Sequence, residues 1–224
     1  MAWGFIKWFG YIYKVAKSVG FSFGQKKKQI KTKSFSSVRI HKSVGYPKRT
    51  THSFGVVCHI SNLRMEKEKI IELINKAKNL TPKKMDKDLS PMEGFPEVPN
   101  WHKYEREIWE IGEKIRQIIY TKKSLRKDKE INDLVMEVCI DKKSKRGRQS
   151  FILLLGYKHL SRYAPKLITM INDKFVNGQI IDTIYKMQAT GFEKDIKPFE
   201  TDKLTWIRKL AEKYVKKYGT QQNL

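Results

Sequence analysis

His52, Cys58 and His59, with His41 upstream, are the residues whose types could hold a zinc ion. A structural zinc site draws four such ligands from short, recognisable spacings, and these four residues match none of the strong templates. Other reaction chemistry is harder still to place. The chain has no Walker-type or dinucleotide-type glycine loop and no Gly-x-Ser-x-Gly turn. Among the acids, Asp86 and Asp88 fall in a proline-rich stretch, and Asp182 stands four residues before Lys186, the spacing of an ordinary helical ion pair. No paired carboxylates for acid–base work emerge. The sequence therefore points to a non-catalytic protein and implies neither a metal nor a cofactor.

The basic residues are the stronger chemical signal. The first 65 residues hold thirteen Lys and Arg and no Asp or Glu, within a chain of formal net charge +24. Such an arm can hardly be neutralised locally, so it leans on acids further along, stays solvated, or meets an anionic partner, of which nucleic acid and acidic membrane surface are the usual ones. Candidate phosphate contacts in the arm are Lys26, Lys27, Lys28, Lys31, Lys33, Arg39, Lys48 and Arg49. Further along, Lys122-Lys123, Arg126-Lys127-Lys129 and Lys142, Lys143, Lys145, Arg146 and Arg148 form clusters. The last cluster opens a helical pattern, where backbone donors and side-chain charge could jointly meet a phosphate, so its five residues complete the candidate set. Lys outnumbers Arg, which favours salt-sensitive backbone contacts over bidentate base recognition.

The first 24 residues keep a second reading open. Phe5, Phe9, Ile12, Tyr13, Ala16 and Val19 oppose Lys7, Lys14 and Lys17 on a helical wheel, with Trp3, Ile6 and Trp8 adding further apolar surface. An aromatic–basic amphipathic helix can lie in a membrane interface, with Trp3, Phe5, Trp8 and Phe9 inserted and the three lysines at anionic headgroups. It can equally pack on the rest of the chain. No run of 18 uncharged apolar residues exists, and the segment lacks a small-residue cleavage site. Two scattered cysteines, Cys58 and Cys139, suggest reduced thiols and a cytoplasmic setting. An anionic membrane thus stays open as a partner beside RNA or DNA backbone.

These charges need elements to position them. After the amphipathic segment (1–24), the sequence predicts a basic module over 25–79. It holds a β-hairpin within 34–60, from apolar runs at Phe35 to Ile40 and Phe54 to Ile60 around Gly45-Tyr46-Pro47-Lys48, and a helix over 65–79. Pro82, Pro91, Pro96 and Pro99 mark a connector over 80–102. From 103 to 219 apolar residues recur at helical spacing, beginning with Ile108, Ile111, Ile115, Ile118 and Ile119 and ending with Trp206, Ile207, Leu210, Ala211, Tyr214, Val215 and Tyr218. Residues 220–224 form a tail. The fold class is mainly α.

Within that helical region Asp-Lys recurs at Asp141, Asp173 and Asp202, each time between two helical patterns. A period near 30 with two helices per unit is the mark of an α-solenoid. Four segments carry a family resemblance: Trp109-Glu110-Ile111-Gly112, Asp141 through Gly156 with its Leu-Gly ending, Asp173 through Gln179, and Lys197-Pro198-Phe199 followed by Thr205-Trp206-Ile207-Arg208-Lys209. On these residues the region from about 105 to 219 resembles a bacterial HEAT-repeat domain. The resemblance implies a short HEAT-like α-solenoid acting as a binding scaffold, with a protein partner on its surface as well. Some small HEAT-like arrays are DNA glycosylases. That alternative would use Trp101, Trp109 and Trp206 for base stacking and Asp133 or Asp173 for catalysis, against the simpler reading of the same residues as packing and ion pairs.

Overall fold

The computed structural model describes residues 52–92 and 95–219. Eight α-helices dominate these residues: α1 (His52–Leu80), α2 (Lys103–Thr121), α3 (Lys129–Ile140), α4 (Gln149–Leu154), α5 (Ala164–Ile168), α6 (Asn177–Met187), α7 (Glu193–Ile196) and α8 (Thr205–Tyr218). Four 3-10 segments lie between them, at Lys123–Lys127, Lys142–Arg148, Lys158–Tyr163 and Lys197–Thr201.

Residues 52–60 are helical and form the start of α1, so the second strand of the expected 34–60 hairpin does not exist. A seven-residue apolar run fits a strand or a helix turn equally well, and continuity with the periodic pattern from Met65 onward decides for helix. The first strand of that hairpin lies outside the described residues. A small antiparallel pair occurs instead inside the proline-rich stretch, between β1 (Pro91–Met92) and β2 (Phe95–Pro99). The prolines limit it to a minimal ladder, because each lacks a backbone donor.

The 80–102 stretch does not separate two modules. The described residues from Val56 onward belong to one unit, and Ile70, Ile74 and Ala77 of α1 are fully buried in the same core as the helices that follow. The reason is the apolar stripe of α1. Its i, i+4 and i+7 positions have nowhere to be buried except against the later helices.

The packing alternates along the chain. The helix α2 packs on α4, α4 on α6, and α6 on α8, giving one layer of every second helix. On the other side, α3 contacts α4 and α5, and α5 contacts α6. The stripe Ile108, Ile111, Ile115 and Ile119 of α2 is buried in this arrangement, as are Ile180, Ile181 and Ile184 of α6. Two close approaches need glycine. A Cβ on Gly147 would sit 2.8 Å from the Glu105 carbonyl oxygen, and a Cβ on Gly178 would fall inside the Trp206 ring at 1.8 Å.

The recurring Asp has a local job. The Asp141 carboxylate accepts from the Lys143 N–H (3.1 Å), Asp173 from Phe175 (3.0 Å) and Asp202 from Leu204 (2.7 Å). Each is the same i to i+2 turn, in which a short acidic side chain ties down the backbone just before the next helical segment.

Candidate functional site

An alternating array sends successive loops to opposite ends. The segments 123–127 (after α2) and 158–163 (after α4) share one end. The Lys142–Arg148 segment (after α3) and the loop at Asp173-Lys174 (after α5) share the other. One contact ties each pair together: His159 Nε2 lies 3.0 Å from the Arg126 carbonyl at the first end, and Arg148 pairs with Asp173 at the second.

At the second end the sequence suggested a phosphate-binding cluster, and most of it is spent internally. Arg148 has no exposed surface. Its guanidinium pairs with Asp173 and donates to the carbonyls of Lys145 (3.1 Å) and Cys139 (3.1 Å). Arg146, 5% exposed, donates from Nε to Glu105 (3.2 Å) and from its terminal nitrogen to the Asn100 carbonyl (2.5 Å). Its guanidinium also lies over the Trp101 ring at 4.7 Å. Burial lowers the pKa of Arg146, with Glu105 opposing that shift. Lys145, 2% exposed, reaches Asp88 at 3.0 Å and the Lys87 carbonyl at 3.2 Å. Burying three cations is tolerable only with such partners, and a buried, paired cation cannot serve an external phosphate. The expectation that Lys145, Arg146 and Arg148 contact nucleic acid is therefore overturned. They are structural. Lys142 is exposed without a partner among the described residues, and Lys143 stands 3.8 Å from Asp141.

Two features single out Lys145. It holds a positive φ of 43° with ψ −123°, a conformation that side-chain-bearing residues rarely adopt. Its ammonium also helps fasten the segment that follows α1. Asp88 bridges Lys145 and the exposed Lys174 (2.9 Å), and His102 Nε2 lies 2.9 Å from the Lys87 carbonyl. Lys174 and then Lys145 hold the Asp88 carboxyl below the usual carboxylate range.

The first end looks different. Arg126 places its guanidinium 5.0 Å from the Tyr157 ring centroid, and the Tyr157 and His159 rings stack at 5.8 Å with 25° between planes. Lys123, Lys127, Lys158 and His159 are exposed, and none of the three lysines has a side-chain partner among the described residues. The nearby acids are occupied: Asp128 and Glu130 both pair with Lys67 at 2.8 Å, and Asp133 pairs with Lys129 at 2.7 Å. Lys129, then Tyr163, hold the Asp133 carboxyl low. Arg162 lies 4.8 Å from the Tyr163 ring, whose hydroxyl donates to Asp133 at 2.5 Å. A shallow groove runs on from there, lined by Lys129, Asp133, Met136, Ile140, Tyr163 and Lys166 among others.

Arg126 and Lys127 stood out in the sequence as a run, whereas Lys158, His159 and Arg162 did not. They are spread through a mixed stretch, and only the alternation of loop ends brings them beside Arg126.

The remaining expected residues fall as follows. The arm candidates Lys26 to Arg49 and the segment Met1–Gly24 lie outside the described residues. Cys58 and His59 lie in α1, and His41 lies outside; no group of three or more metal-ligating side chains occurs among the described residues. Cys139 is buried and unpaired, its thiol pushed up by desolvation. Asp173 is taken by Arg148, Asp133 by Lys129, and Asp182 by Lys186 at 2.6 Å. Trp101, Trp109 and Trp206 are half-buried. No helix among the described residues is long and apolar enough to cross a membrane. Compared with known protein families, with characterised proteins and with solved structures, the chain matches none.

Proposed function

We propose that this protein is a non-catalytic scaffold that holds the phosphate backbone of a nucleic acid on the 123–127 and 158–163 end of a short HEAT-like helical array. The alternate packing of α2, α4, α6 and α8 supports the array. The observation that carries the ligand is the cluster at that end: Lys123, Lys127 and Lys158 exposed and unpaired among the described residues, around the Arg126–Tyr157–His159 stack. Cations left uncancelled beside exposed ring surface are what a nucleic-acid strand needs, charge for its phosphates and a flat apolar face for its bases.

The charge distribution supports the same reading. From residue 66 onward the chain carries 34 Lys and Arg against 23 Asp and Glu, a net +11 beyond the acid-free arm. The arm then adds sequence-independent attraction. Lysine-rich contacts give affinity that collapses with salt, because each neutralised phosphate releases its counterions.

The direct test is a salt titration of binding to mixed-sequence RNA and DNA oligonucleotides by fluorescence anisotropy. The proposal expects binding at low salt and a steep, linear fall of log affinity with log salt concentration. Absence of binding to either at low salt refutes it.

A further inference from the structure

We infer that the 123–127 and 158–163 end selects single-stranded over double-stranded nucleic acid. This rests on the nucleic-acid reading above and goes on to name the form of the ligand.

Three observations point that way. His159 stays exposed although its ring is stacked on Tyr157, so the outer residue of the stack is open to solvent. Only a base whose own face is uncovered can extend such a stack. In a duplex both faces are buried against neighbouring base pairs, while in a single strand they are available. The stack is also held before any ligand arrives. His159 Nε2 is tied to the Arg126 carbonyl at 3.0 Å, the Leu160 N–H donates to the Tyr157 carbonyl at 2.9 Å, and Arg126 stands over the Tyr157 ring. A fixed ring loses little freedom on binding.

The third observation concerns shape. Duplex readers insert a helix or a two-stranded ribbon into a groove. This end presents short 3-10 segments, Lys123–Lys127 and Lys158–Tyr163, and neither can reach a groove floor. What it offers is a low platform with Lys123, Lys127 and Lys158 around it. The lysines are point charges that follow a backbone without reading bases, so the selection is for strand form and not for sequence.

The test compares wild type, His159→Ala and His159→Phe in the full chain. The probes are a 15-nucleotide deoxythymidine strand, a duplex with the same number of phosphates, and an abasic strand of the same charge. Wild type is expected to bind the single strand at least tenfold more tightly than the duplex or the abasic strand. His159→Ala is expected to weaken single-strand binding by about 5- to 150-fold, the range of one lost base–aromatic stack, with duplex binding and salt slope unchanged. His159→Phe restores it. Duplex binding as tight as single-strand binding, or equal weakening of both by His159→Ala, overturns this inference and leaves backbone binding standing. Failure to bind any of the three probes at low salt overturns both.

Discussion

Arg148 gives up its hydrogen bonds to water and makes four inside the fold. Asp173 neutralises it, while the Lys145 and Cys139 carbonyls and the Met170 sulfur take further donors. Removing it would leave Asp173 and the carbonyls stranded. Arg148→Ala is expected to lower unfolding free energy by about 3–5 kcal/mol, the cost of breaking a buried pair. Urea denaturation of that variant checks it, and a double change with Asp173→Asn is expected to recover part of the loss. A variant as stable as wild type would mean the pair is not holding the loop. The same residue shows why this part of the site was hidden in the sequence. The run Lys142 to Arg148 reads as a solvated basic loop because Asp141 is the one acid beside it in sequence. Its acids lie far off in the chain, 25 residues away at Asp173, 41 at Glu105 and 57 at Asp88. Local composition cannot report pairings made at that separation.

Elements explain both what was legible and what was not. The mainly helical class was readable because Ile108, Ile111, Ile115 and Ile119 repeat over about three turns, long enough for the helical period to be unambiguous. The recurrence of Asp141, Asp173 and Asp202 was readable because an Asp turn is made within three residues. The run from Phe54 to Ile60 was too short for its period to decide. Between elements, the stretch after α1 is exposed from Lys83 to Ser90 and is fastened through the Asp88 carboxylate and the Lys87 and Ser90 carbonyls. The lowered pKa of Asp88 means that its share of this fastening holds above the ordinary carboxylate value of about 3.9 and is lost only as pH falls through the lower folded value. Asp88→Asn removes the charge at any pH. Trypsin at pH 8 should then cut after Lys83 and Lys84 several-fold faster than in wild type, with the rest of the chain protected as before. An unchanged cutting rate would place the fastening elsewhere. Where α6 meets α8, Gly178→Ala puts a methyl into Trp206, and overpacking of this kind costs about 1–3 kcal/mol. Thermal denaturation should show a lower Tm, and a second change of Trp206→Leu should recover part of it.

On the scale of the whole molecule, alternation of loop ends sorts the charge of the helical region into two fates. At one end Lys145, Arg146 and Arg148 are consumed by Asp88, Glu105 and Asp173 and hold the fold together. At the other end Asp128, Glu130 and Asp133 are consumed by Lys67 and Lys129, so Lys123, Lys127 and Lys158 are left without a side-chain partner among the described residues. The sequence shows both sets of cations and cannot tell them apart, because the sorting depends on which loops share an end. The decisive comparison is the salt dependence of single-strand binding by wild type and by the triple variant Lys123→Gln, Lys127→Gln, Lys158→Gln. The variant is expected to fold normally, to bind more weakly at every salt concentration, and to show a log–log slope shallower by about 2 to 3 counterions. A folded triple variant with wild-type affinity and slope would contradict the assignment of this end as the binding face.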